Sequence, residues 1–465
     1  MTKRSPQNLQ SESSALGNAM QDSSPQDSSE LVSSAATSQI VVGLFALLVG
    51  TFLTFGEPAL EVKSNFKELA GAGLFLVLWV GSAMALWGLV VLKVHRQAST
   101  GLLTVPSDLD RFAKSRIWRK WLGLMLTYAV LSLIYWILPI YRQDFYKTFF
   151  VAVNDLLPTL VVFSWFYIRW IDGRQSRQEQ LQDPCYLLGQ WVLDIVTGWR
   201  GSRGARGLRL WSAQKLLNPP LWLANYSRAW LVKAFFIPLM FGFLCESISA
   251  ISGWKFNFLE LNWVRQVEVL SDCIFFVDLL WGCVGYVWSL RLLDSHIRST
   301  EPTVLGWLVA LTFYAPFNSV LGPNYFAYET SMKWHNWLSG TPFALYAWGA
   351  AILLLNLVFV WATVVFGLKF SNLTYRGVIT SGPYRWFKHP AYICKNLSWW
   401  LIAMPFMVST TPTEALRMCL ILFLANLGYY LRAKTEERHL LQVSPEYGAY
   451  CRAMSAKGFW GKLTK

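Results

Sequence analysis

The sequence predicts an all-α, polytopic membrane bundle of about ten transmembrane helices with both termini cytoplasmic. Three observations predict it. Hydrophobic residues make up 54% of the 465 residues and charged residues only 15%, whereas a soluble domain carries roughly a quarter charged. The apolar residues gather into runs of about twenty, the length that crosses a hydrocarbon core of ~30 Å. The 41 Lys and Arg also sort by loop: with the N-terminus inside, the five outer loops hold only seven of them, in line with the enrichment of basic residues in cytoplasmic loops.

In chain order the runs are 39–56, 71–92, 121–140, 149–171, 230–250, 269–290, 303–322, 343–368, 396–410 and 415–431. The seventh is interrupted by Pro316 and Asn318, and the ninth is short. A miscounted helix would invert every later loop and spoil the charge asymmetry, so the count and the charges support each other. The net charge of +14 then follows from basic inner loops facing anionic lipid, and no nucleic-acid partner is called for. Residues 1–38 are rich in Ser and Gln with few large apolar side chains, and are expected to form a disordered cytoplasmic tail. No cleaved signal precedes the first run. The lack of a eukaryotic targeting signal and the compact membrane design point to a bacterial inner membrane.

Six runs precede residue 300 and four follow it. This predicts a six-span region over 39–300 and a four-span region over 301–465. Within the first lies a cytoplasmic insert at 172–229, in which residues 184–199 mix aromatic and aliphatic side chains and Arg200, Arg203, Arg206 and Arg209 alternate with glycines. One or two interfacial helices on the inner leaflet are expected there. They would serve either as plain surface anchors or to recognise an anionic head group. The seven Cys form no CxxC pair and the five His no i,i+4 pair, so neither a disulfide framework nor a metal site is indicated.

Ionisable residues inside spans are functional candidates because burying them in lipid is costly. Asp155, beside Asn154, and Asp278 lie at similar depth near the outer ends of their spans. Either they line a polar cavity or they pack helices together. Glu246 and Asp272 lie near the outer interface, and Lys233 sits close enough to the inner end to snorkel.

The chemistry-bearing stretch follows the eighth run. It contains Gly382-Pro383-Tyr384-Arg385, then Lys388-His389-Pro390-Ala391-Tyr392; its glycines and prolines predict a turning loop. After the tenth run come Arg432, Glu436, Glu437 and Leu440, then Ser444-Pro445 and Tyr447-Gly448-Ala449-Tyr450. Ser444 as N-cap with Pro445 at the first helical position predicts a short final helix. Arg432 and Glu436, four apart, share a helix face. Two adjacent glutamates near a helix C-terminus oppose the helix dipole, so either they answer to a ligand or partner loop or they are ordinary juxtamembrane charges.

Together, Gly-Pro-Tyr-Arg-x-x-x-His-Pro-x-Tyr, a hairpin, Arg-x-x-x-Glu-Glu-x-x-Leu and a Tyr-Gly-x-Tyr tail resemble the isoprenylcysteine carboxyl methyltransferase and phospholipid N-methyltransferase superfamily over about residues 370–455. The resemblance implies an S-adenosylmethionine site between the loop and the end of the last long helix. Gly382, Tyr384, Arg385, His389 and Tyr392 would contribute to it from the loop, and Arg432, Glu436 and Glu437 from the helix. It also implies methyl transfer by in-line displacement, which needs alignment and exclusion of water, to a lipid or lipid-linked acceptor at the cytoplasmic face. Arg432 and Glu437 are the expected catalytic residues, with Glu437 as base if the acceptor is an amine or a phenol. Cys394 departs from the pattern, standing where the family usually has Gly.

Two other functions are weighed against this one. Membrane sterol reductases, which use a nicotinamide cofactor (NADPH), have a similar C-terminal cap, but their loop reads His-Pro-Asn-Tyr-Leu-Gly-Asp where this chain has His389-Pro-Ala-Tyr-Ile-Cys-Lys-Asn396. A non-catalytic lipid-binding or transport role would assign the work to the first six spans.

Overall fold

The computed structural model describes residues 25–55, 65–105, 113–199, 220–254, 257–314, 317–318, 332–407 and 411–457, without the side chains of 25–36, 195–199 and 456–457. Its described residues are overwhelmingly helical. The helices are α1 (Pro25–Phe55), α2 (Phe66–Val90), α3 (Ala113–Ile137), α4 (Lys147–Asp172), α5 (Arg177–Gln182), α6 (Pro184–Trp199), α7 (Leu221–Ser252), α8 (Trp263–Val287), α9 (Val304–Leu311), α10 (Trp334–Trp337), α11 (Pro342–Val364), α12 (Pro390–Ala403), α13 (Pro412–Val443) and α14 (Pro445–Lys457). One antiparallel ribbon interrupts them, pairing β1 (Ser299–Thr300) with β2 (Thr374–Tyr375).

Seven described helices are long and apolar enough to cross a membrane: α1, α2, α3, α4, α7, α11 and α13. An all-helical, multi-pass membrane bundle is what they make. The expected run at 269–290 falls on α8, whose 25 residues extend about 37 Å but include Arg265, Glu268, Asp272 and Asp278. The runs at 303–322 and 396–410 fall on α9 and α12, which have 8 and 14 residues and extend only about 12 and 21 Å. α12 begins inside the motif loop and stops at Met404, whose φ of 42° is left-handed. Pro405 follows, and a proline disfavours helical backbone in the residue before it. Upstream, α1 begins at Pro25, so residues 25–38 of the expected tail are helical; residues 1–24 lie outside the described residues.

The core sits where α2, α7 and α8 meet, with Leu76, Met84, Leu244, Leu280 and Trp281 fully buried in one cluster. Residues Phe149 of α4 and Val360 and Val364 of α11 extend it. The first six expected spans and the last four therefore share packing, and β1 and β2 join them across the boundary expected at 300.

The insert contributes two described helices, α5 and α6, while the basic stretch 200–209 lies outside the described residues. α5 opens on a capping box, Ser176 Oγ accepting from the Glu179 amide while the Glu179 carboxylate accepts from the Ser176 amide. α6 packs along α3 at two glycines. A Cβ on Gly189 would lie 1.8 Å from the Arg119 carbonyl oxygen, and one on Gly123 would lie 2.0 Å from that of Cys185. Only backbone meeting backbone allows this approach.

Polar ties gather the C-terminal ends of α2, α4, α8 and α11 at one end of the molecule. Buried Asp172 accepts from Arg116 at 2.8 Å and Lys120 at 2.9 Å. Arg291 donates to Glu179 at 2.5 Å and to the Thr100 carbonyl at 2.6 Å. Asp294 accepts from Arg298 at 2.8 Å and Lys369 at 2.7 Å. Burial pushes the Asp294 carboxyl up, but Lys369 and Arg298 outweigh it and hold the group below its ordinary value. Asp155 is exposed on α4, while Asp278 lies beside Thr363 of α11.

Candidate active site

The motif loop is built to turn sharply. Gly382 has φ +58°, and a Cβ there would meet Val365 Cγ1 at 2.7 Å, so glycine is required both for conformation and for space. Pro383 then starts a short 3-10 turn over Gly382–Arg385. Tyr384 sets its ring edge-on to Phe366, 5.3 Å between centroids, and its carbonyl accepts from the Tyr450 hydroxyl at 2.7 Å. Burial pushes the Tyr384 phenol up. Gly382 and Tyr384 thus shape the loop and dock α14 on it, and Arg385 is exposed.

His389 precedes α12, and Pro390 occupies its first turn. The His389 ring stacks on Tyr392, with centroids 5.4 Å apart and planes 3° from parallel. The facing wall is α13, one continuous helix of 32 residues that runs well past the end expected at 431. Its last turns stay helical because Arg432, Thr435 and His439 are buried against neighbours. Residues 432, 435, 436, 439 and 440 form one face at helical spacing. Tyr392 donates to Glu436 Oε2 at 2.9 Å. His389 Nε2 lies 3.1 Å from Glu437 Oε1, and Lys434 donates to Glu437 Oε2 at 3.1 Å. Four of the sequence-selected residues therefore pair across loop and helix, Tyr392 with Glu436 and His389 with Glu437.

The third wall comes from the β-ribbon and the turn before it. Asn372 is its hinge. Its amide donates to the Tyr286 hydroxyl at 2.8 Å, its Nδ2 donates to the Tyr314 hydroxyl at 3.2 Å, and its Oδ1 accepts from Arg432 Nη2 at 2.7 Å. The Glu301 amide donates to the Leu373 carbonyl at 2.9 Å. Ser371 and Thr374 join their hydroxyls across the turn.

These walls enclose an open pocket with about 420 Å³ of empty space, its mouth included. Tyr392, Arg432, Glu436, Asn372, Glu301 and His439 are among its lining residues. Arg432 is 6% exposed, and no carboxylate lies within ion-pair distance of it among the described residues. Aromatic faces hold it instead: its guanidinium carbon is 5.2 Å from the Tyr392 centroid, 5.6 Å from Tyr314 and 5.9 Å from Tyr429. Such contacts favour a desolvated cation without neutralising it. The pocket thus presents a positive charge and the Glu436 carboxylate on one helix face, beside a tyrosine ring. That arrangement suits a zwitterionic ligand with a further cationic centre. Cys394 is buried in α12.

Of the residues selected from sequence, Tyr392, Arg432 and Glu436 line the pocket. His389 and Glu437 pair at its edge, and Gly382, Tyr384 and Arg385 do not line it. Sequence reasoning missed Asn372, Glu301, Thr435 and His439. The spacing from Arg432 could have found Thr435 and His439. Nothing local marks Asn372 or Glu301, which reach the pocket through β-pairing. Among the described residues no group of three His, Cys, Asp or Glu side chains is placed to hold a metal ion.

A model of the isoprenylcysteine carboxyl methyltransferase (ICMT) family matches residues 344–442. No curated protein and no solved structure matches the chain. The matched segment spans α11, α12, most of α13 and the motif loop, and together with the apolar helices it supports a membrane methyltransferase. Over those residues the C-terminal part of this chain is similar to the isoprenylcysteine carboxyl methyltransferase family.

Proposed function

We propose that the protein is an S-adenosylmethionine-dependent methyltransferase acting on a lipid or lipid-linked acceptor at the cytoplasmic face of the membrane. The observation that carries this reading is Arg432, a buried cation with no carboxylate at ion-pair distance among the described residues, set beside Glu436 and Tyr392 where the two motifs meet. Arg432 and Asn372 would hold the ligand's carboxylate, Glu436 its ammonium, and the Tyr392 face would lie against its sulfonium. His389, stacked on Tyr392 and fixed by Glu437, would keep that ring in place. When bound, the cofactor supplies a methyl group on a sulfonium that is open to in-line displacement.

The location of the site supports the cytoplasmic assignment. The pocket lies at the end where α2, α4, α8 and α11 terminate, and this end carries the basic loops. Ten crossings with both termini inside remain our reading of the topology, with α8, α9 and α12 as the crossings beyond the seven long apolar helices. A pocket at this depth would let a soluble cofactor meet an acceptor still held in lipid.

Purified protein in lipid vesicles, incubated with methyl-labelled S-adenosylmethionine, should transfer label into the extracted lipid. Cofactor binding without any labelled lipid would remove the lipid acceptor from the reading.

A further inference from the structure

Methyl transfer to a carboxylate or phosphate needs no base, whereas transfer to an amine or hydroxyl does, and the pocket holds a group suited to that task. His439 lines the pocket and is 5% exposed. Its Nε2 lies 3.0 Å from Ser299 Oγ of β1. Its Nδ1 is buried and has no hydrogen-bond partner among the described residues. A buried polar atom without a partner is unfavourable, and one on a pocket-lining ring is accounted for by a ligand that supplies the partner. With Nε2–H donating to Ser299, Nδ1 carries a free lone pair.

The alternative base is less available. Both oxygens of Glu437 are engaged, one by His389 and one by Lys434, and Glu437 does not line the pocket. Ser299 lies outside the matched family segment, on the ribbon that clamps the six-span region to the motif loop.

We propose that His439, oriented by Ser299, takes a proton from the methyl acceptor, so that the acceptor carries an N–H or O–H group and is not a carboxylate. This rests on the methyltransferase reading and specifies its substrate class. In the step, the lone pair of the acceptor nitrogen or oxygen forms the new bond to the methyl carbon. The carbon–sulfur bond breaks with its electron pair going to sulfur, leaving a neutral thioether. The acceptor's proton passes to His439 Nδ1, giving an imidazolium that returns it to water. The charged groups facing this imidazole are Glu301, Glu436 and Arg228.

The first readout needs no acceptor. In full-length protein labelled with 15N-histidine, the His439 resonances are assigned by difference against His439→Gln. Near neutral pH, Nδ1 should be unprotonated and Nε2 protonated, and Ser299→Ala should disturb that preference. A protonated Nδ1 at neutral pH overturns the proposal. The second readout uses phosphatidylethanolamine vesicles and a soluble S-farnesyl-cysteine derivative as probes, each with methyl-labelled S-adenosylmethionine. His439→Gln should bind the cofactor within about threefold of wild type yet transfer label to phosphatidylethanolamine about 100-fold more slowly, in the range for general base catalysis. It should also lose the rise in rate with pH. Label on the farnesyl-cysteine carboxylate that persists in His439→Gln contradicts the proposal. Failure of the wild type to bind the cofactor instead overturns the methyltransferase reading and leaves the tautomer result to stand alone.

Discussion

At the scale of single residues, Arg432 does the most to define the site. Its hydrogen bond to Asn372 and its three aromatic neighbours hold a charge that no carboxylate among the described residues meets at ion-pair distance. A hydrogen bond to a charged group contributes about 1.5–3 kcal/mol, and 1.4 kcal/mol is tenfold in affinity. Arg432→Gln should therefore weaken S-adenosylmethionine binding roughly 10- to 100-fold, measured by calorimetric titration; an unchanged Kd would place the ligand elsewhere. Gly382 makes a different kind of demand. Ala there takes on left-handed backbone at about 1–2 kcal/mol and a contact with Val365 as well. Gly382→Ala should thus lower the thermal midpoint and loosen cofactor binding together. Both residues were legible in the sequence because each sits in a short motif. His439 was legible only as a position on the Arg432 face, because its contact with Ser299 joins residues 140 positions apart.

At the scale of elements, the α3–α6 contact shows how the insert is held. The sequence suggested interfacial helices there, and α5 and α6 are helical, but the aromatic pattern could not reveal that Gly123 and Gly189 let α6 dock on α3. Gly189→Ala should destabilise the fold by at least about 2 kcal/mol, the scale of an overpacked contact, read as a lower thermal midpoint and faster proteolysis within the insert. The turn between α8 and β1 carries a pH dependence. Burial holds the His296 imidazole down to about 4 from its ordinary 6.5, with Arg291 adding to the effect. The unfolded chain therefore binds a proton first as pH falls, so stability is full above about 6.5 and drops progressively toward about 4. Thermal melts across that range should show the decline, and His296→Gln should flatten it. A profile identical in the variant would mean that another group titrates. Asp294, held below its ordinary value, keeps its ion pairs through this window and loses them only at lower pH. Length was the least legible property: α12 starts at the motif proline and stops before Pro405, while α13 runs past the apolar segment. Tertiary contacts set these ends where hydropathy could not.

At the scale of the whole molecule, the alternation of basic loops agrees with the polar ties among the C-terminal ends of α2, α4, α8 and α11. A single cysteine introduced between Arg200 and Arg209, in a cysteine-free background, should react with a membrane-impermeant reagent only once the cytoplasmic side is opened. Labelling from the outside would invert the topology and move the pocket to the wrong face. The motifs brought Tyr392, Arg432 and Glu436 of the pocket into view, and these three lie within the matched segment. The contribution of Ser299 and Thr300 stayed hidden because they enter through a two-residue strand, which no periodicity announces. Calorimetric titration of the purified full-length protein tests most directly whether the pocket at Arg432 holds S-adenosylmethionine. Saturable binding of S-adenosylmethionine is expected, weakened in Arg432→Gln, with no binding of NADPH. Binding of NADPH in place of S-adenosylmethionine, or of neither, would contradict this.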